Sequence, residues 1–151
     1  MPVLELSPLL TEAACAVLET MFFTEVLGES LGEPQEYWLT AQVEFQGNRC
    51  GWLTASAGLA AARQLASNFL CEDETSLAPG QIDEVMAELS NMVCGSALSR
   101  IDPSSKFAIS HPRLGPHKPP ETVPPGWQGA CQSLDIGDGV LRICFAIGEP
   151  V

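Results

Sequence analysis

Basic residues are scarce in this chain of 151 residues. Seven Lys and Arg stand against 19 Asp and Glu, giving a formal charge of −12 and an isoelectric point near 4.3. That sign is wrong for a phosphate backbone or an anionic membrane surface, so nucleic acid and membrane are excluded as expected partners. It suits solubility, or an encounter with a basic patch on another protein. Histidine is rarer still. His111 and His117 both fall in a proline-rich stretch, so a histidine-based triad would have to be assembled by tertiary folding, and solvated loop histidines are the expectation. The six cysteines, Cys15, Cys50, Cys71, Cys94, Cys131 and Cys144, contain no C-x-x-C pair and no histidine at ligand spacing, which argues against a metal site. Cys15 and Cys144 lie in apolar runs, where a reduced thiol behaves as a small hydrophobe, and a reducing, cytoplasmic location is expected. The opening residues lack a basic region and are interrupted by Glu5 and Glu12, so neither a signal peptide nor a membrane span is expected. No G-x-x-x-x-G-K, G-x-G-x-x-G or H-E-x-x-H pattern occurs, which disfavours nucleotide-driven and zinc-protease chemistry.

What is present is enough apolar side chain to fold. Hydrophobic residues make up 46% and charged residues 17%, and the length suits one domain spanning 1–151. Ser7-Pro8 can start a helix, and apolar residues from Leu9 follow helical spacing, with Gly32-Glu33-Pro34 as the stop, so a helix to about Leu31 is expected. From Tyr37 to Gln46 the period changes to two, which reads as a half-buried strand. Gly47-Asn48 reads as a reversal and 49–56 as the returning strand. A second helix is expected over 58–69, a third over 81–100 and a short strand over 106–110. Residues 111–127, rich in proline, read as an extended surface loop. Strands 129–136 and 140–147 flank Gly137-Asp138-Gly139, a plain hairpin turn. This order predicts an α+β fold, helices packed over a mostly antiparallel sheet.

The third helix carries the most information. At about 100° per residue, Ile82, Met86, Leu89, Val93 and Ala97 form one apolar stripe that faces the core. Glu84, Glu88, Asn91 and Gly95 then fall within about 60° of each other on the opposite side. Asn91 costs roughly half a kcal/mol relative to alanine in a helix and has no capping role there, and Gly95 costs about 1 kcal/mol. An ordinary solvated face is one explanation. The other is a surface where an acid and an amide meet a partner whose backbone approaches closely at Gly95.

The stretch EVMAELSNMVCGSALSRI, with its E-x-x-N-M-x-x-G core at Glu88, Asn91, Met92 and Gly95 and an I-S-H-P segment downstream, resembles the active helix of the CheC/CheX chemotaxis phosphatases. A second E-x-x-N on the first helix is absent, since Cys15 follows Glu12 by three and Phe22 follows Glu19 by three. The resemblance is therefore to CheX, with a single site. Glu84 stands where the family usually has Asp or Ser. The resemblance implies hydrolysis of the phosphoaspartate of a phosphorylated CheY-like response regulator. Asn91 would orient the water, Glu88 would dock to the regulator's lysine, and Glu84, Met92 and Gly95 would contact the partner. It further implies no cofactor on this chain, magnesium supplied by the regulator, and a homodimer through a sheet edge. Two alternatives stay open: an adaptor module that binds a receiver without hydrolysis, and an interaction domain whose proline-rich loop recognises an unrelated protein.

Overall fold

The computed structural model describes residues 5–30, 32, 34, 36–116 and 122–150. Helices α1 (Leu6–Met21), α2 (Leu59–Leu70) and α3 (Pro79–Ile101) pack against a seven-stranded antiparallel sheet. The strands are β1 (Gly28–Glu29), β2 (Leu39–Gln46), β3 (Cys50–Ala57), β4 (Ala108–Ile109), β5 (Arg113–Gly115), β6 (Gln128–Asp135) and β7 (Val140–Gly148). Their order is β1-β6-β7-β3-β2-β4, with β5 also on β2. This is the α+β architecture that the alternation of periods predicts.

Strand alternation explains the two faces of the sheet. Val43 lies opposite Leu53, Leu53 opposite Phe145, and Phe145 opposite Ala130, so one register row carries a hydrophobic line across four strands toward the helices. The next row, Gln42, Thr54, Cys144 and Cys131, points the other way. Against the inner row, α1 sets Leu10, Ala14 and Leu18 and α3 sets Met86, Leu89 and Val93, all buried in one cluster.

Three features depart from the sequence reading. The first helix ends at Met21, ten residues early. Phe23 takes a left-handed conformation (φ 49°), and the Thr24 N–H turns back to the Leu18 carbonyl at 2.9 Å. The chain then runs to β1, an edge strand on β6. Of the expected stop, Leu31 and Glu33 lie outside the described residues. Secondly, Cys144 is not a reduced thiol: it is bonded to Cys131, directly opposite it in the β6–β7 register. Thirdly, the proline-rich segment is not simply an extended loop. Its start forms β5 on β2, and its end packs on the sheet face away from the helices, where Trp127 lies 5.4 Å from Trp52 between ring centroids. His111 is exposed, while His117 lies outside the described residues. The reversal at Gly47-Asn48 joins β2 to β3 as the sequence predicts, and in the β6–β7 turn Gly137 and Gly139, flanking Asp138, take positive φ. Among the described residues, no helix is long and apolar enough to cross a membrane.

Candidate functional site

Helix α3 begins with Pro79 in its first turn, where a missing N–H costs nothing, and the Ala78 N–H is taken up by Gln81 Oε1 at 2.8 Å. It ends at Asp102, whose carboxylate accepts from the Ser105 and Ser104 hydroxyls. These hydrogen bonds hold its carboxyl below the usual range. All five residues of the predicted apolar stripe are buried. So are Val85, Ser90, Cys94 and Leu98, because both α1 and α2 pack against α3 and narrow its exposed side.

What remains uncovered is a strip along the helix. Glu84 and Glu88 are exposed, and Asn91, Met92 and Gly95 are half-buried. Glu88 and Asn91, three apart, are neighbours on the helix surface, with side chains roughly 5–6 Å apart at Cβ. Among the described residues, no hydrogen bond or ion pair engages the side chain of Glu84, Glu88 or Asn91. The ion pairs found there are Arg49 with Glu149 and Arg113 with Glu44. A Cβ built on Gly95 meets nothing within 4 Å. The chain's own packing therefore does not require glycine at this position, although a helix interior is where glycine is most costly.

The strip offers a carboxylate and a carboxamide, and no nucleophile. Cys94, three residues past Asn91, turns inward, and burial pushes its thiol up to about 12, so it stays protonated and covered at neutral pH. Cys15 on α1 is half-buried and Phe22, just past its end, is fully buried, and neither residue type is an amide that could stand beside Glu12 or Glu19. No group of three metal-ligating side chains occurs among the described residues.

Two concavities lie outside the sequence reading. One, of about 810 Å³, sits between the start of α2 and the β6–β7 turn, and is bordered by Glu36, Gly58 and Asp138. The Glu36 carboxylate already accepts from the Leu59 N–H there, at 3.3 Å. The other, of about 290 Å³, adjoins the strip: Phe69 and Leu70 of α2 face Gln81, Glu84, Val85 and Glu88 of α3 across it. The periodicity of α2 marks Phe69 and Leu70 as apolar, but only the packing of two helices brings them beside Glu84.

The chain matches the family model described as chemotaxis phosphatase CheX over residues 39–124, more than half its length. No curated protein matches by sequence. Among solved structures it is similar to the chemotaxis protein CheX of Vibrio vulnificus, with a TM-score of 0.72 and 19% identity, covering 95% of this chain and 97% of that one. It is also similar to a CheC-like superfamily protein from a Shewanella species, with a TM-score of 0.73 and 18% identity over 97% and 99% of the two chains. CheX from the Borrelia burgdorferi CheX-CheY-BeF3-Mg complex gives a TM-score of 0.69 and 18% identity over 97% and 100%. At such identities these structures establish the fold.

Proposed function

The chain belongs to the CheX family of chemotaxis phosphatases, and from that premise we propose that it hydrolyses the aspartyl phosphate of a CheY-like response regulator. The observation that carries this reading is the pairing of Glu88 with Asn91, one turn apart on the uncovered strip and without a hydrogen-bond or ion-pair partner among the described residues. The Borrelia burgdorferi relative, solved in complex with CheY, supports a receiver domain as the partner.

An acyl phosphate is already activated, so the phosphatase has only to bring water in line with phosphorus. A carboxamide suits this task because it both accepts and donates a hydrogen bond without ionising, which holds the water in one orientation. Water attacks phosphorus, the bond to the acyl oxygen breaks, and the regulator's aspartate leaves as a carboxylate with inorganic phosphate as the other product. Glu88 pairs with the regulator's active-site lysine and sets the register of the two surfaces. The divalent cation belongs to the regulator. The half-open position at Gly95 admits the visiting backbone. The same reading places the protein beside its regulator in the cytoplasm and includes a homodimer through a sheet edge.

The test is the decay of a phosphorylated receiver with and without this protein. Acceleration is the expected result, and unchanged decay with a receiver that demonstrably binds leaves only the adaptor reading. Gly95→Ala supplies an independent check. With open space around its Cβ, alanine stabilises the folded chain by about 0.5–1 kcal/mol through helix propensity. It also weakens receiver binding by obstructing the approach. A melting curve and a binding titration on this one variant therefore move in opposite senses. Alanine that leaves affinity untouched removes Gly95 from the docking surface.

A further inference from the structure

The cleft between α2 and α3 has no part in the chemistry above, yet it opens directly onto the same strip. Its walls differ in character. Phe69 and Leu70 supply apolar surface above the buried Val85, with Phe69 held by stacking on Phe22 at 4.6 Å between ring centroids. Glu84 and Glu88 stand at the rim, four residues apart on one helix face. Like charges at that spacing repel, and no cation of the described chain neutralises them. At about 290 Å³ the cleft lies at the lower end of the size range of ligand pockets. An apolar floor ending in a pair of carboxylates is complementary to one kind of group: a long aliphatic stem carrying a positive charge.

We propose that this cleft seats a lysine or arginine side chain from the regulator's surface, its stem on Phe69 and Leu70 and its charge at Glu84. This residue is distinct from the lysine that Glu88 meets. The inference rests on the proposed function and names the contact that selects the regulator. Glu84 is exposed at the mouth of the cleft, where its carboxylate meets the charge at the end of such a stem.

Binding of a beryllofluoride-activated receiver to wild type, Glu84→Gln and Glu84→Lys, measured at low and moderate salt, tests the proposal. Glu84 is exposed, and melting curves establish that the variants fold. Glu84→Gln is expected to weaken affinity about fivefold at low salt and to flatten its salt dependence, with Glu84→Lys weaker again. The loss appears as a raised KM, with a smaller change in kcat. Glu84→Gln with the affinity and salt dependence of wild type overturns the cleft contact and leaves the phosphatase reading standing, provided wild type still accelerates phosphate loss. A wild-type protein that binds no receiver overturns both.

Discussion

Asn91→Ala lowers the rate of receiver dephosphorylation about 100-fold, roughly 2.7 kcal/mol of barrier, while affinity for the activated receiver stays within about twofold. The asymmetry follows from where the side chain sits. Asn91 is half-buried in the middle of a long helix, and no hydrogen bond from another described residue holds its side chain. Removing its amide therefore breaks no internal hydrogen bond and leaves no buried group unsatisfied. Alanine is also the better helix former, so the fold is expected to gain slightly, and a fall in activity cannot be attributed to unfolding. Only the interaction with the attacking water is lost. Stopped decay of phosphorylated receiver, paired with a binding titration, separates the two quantities. Loss of binding in parallel with rate would make Asn91 a docking residue, and an unchanged rate would remove it from the chemistry. Glu88→Ala behaves differently, because a carboxylate that pairs with the regulator's lysine contributes to both docking and turnover.

Phe22→Ala is expected to destabilise the protein by about 3–5 kcal/mol, seen as a large drop in the urea midpoint. Phe22 is fully buried just past α1, in a chain segment that turns sharply, and it stacks on Phe69 at 4.6 Å with the rings 28° apart. Truncation leaves a cavity that the left-handed turn at Phe23 keeps from closing. The consequence reaches the site, because Phe69 also lines the cleft beside Glu84. Under conditions where the variant remains folded, receiver binding should weaken with it. A loss near 1 kcal/mol would mean that the segment after α1 relaxes freely and does not support the cleft.

These two residues mark what was legible in the sequence and what was not. The face of α3 could be read from residue spacing because a helix of 23 residues with a fixed core stripe leaves little freedom in where its other side points. Glu84 and Glu88 are exposed where periodicity places them, and Gly95 has the open surroundings that its helix cost suggests. The burial of Val85, Ser90, Cys94 and Leu98 needed knowledge that α1 and α2 flank α3, which periodicity in a single helix does not carry. The end of α1 at Met21 is hidden from residue spacing for a related reason. No proline or glycine interrupts Phe22 to Leu27, and what ends the helix there is the Phe23 backbone turn that seats Phe22 in the core. The signal available was weak: an aromatic and β-branched run, Phe22-Phe23-Thr24, at the end of an alanine- and leucine-rich helix. The Cys131–Cys144 bond depends on the register of β6 and β7, which the hairpin turn implies but apolar context around Cys144 obscured. The cleft, built from two helices, had no local signature.

The central claim is that a receiver meets this protein on the exposed strip of α3. It is tested most directly by following the Met92 methyl and tryptophan indole signals in an NMR titration with beryllofluoride-activated receiver. Met92 lies half-buried next to Asn91, whereas Trp52 and Trp127 pack together on the sheet face away from the helices. The Met92 signal should shift in proportion to bound receiver while the signals of Trp52 and Trp127 hold still. Movement of the two indole signals with an unchanged Met92 methyl would put the partner on the opposite face and contradict the account.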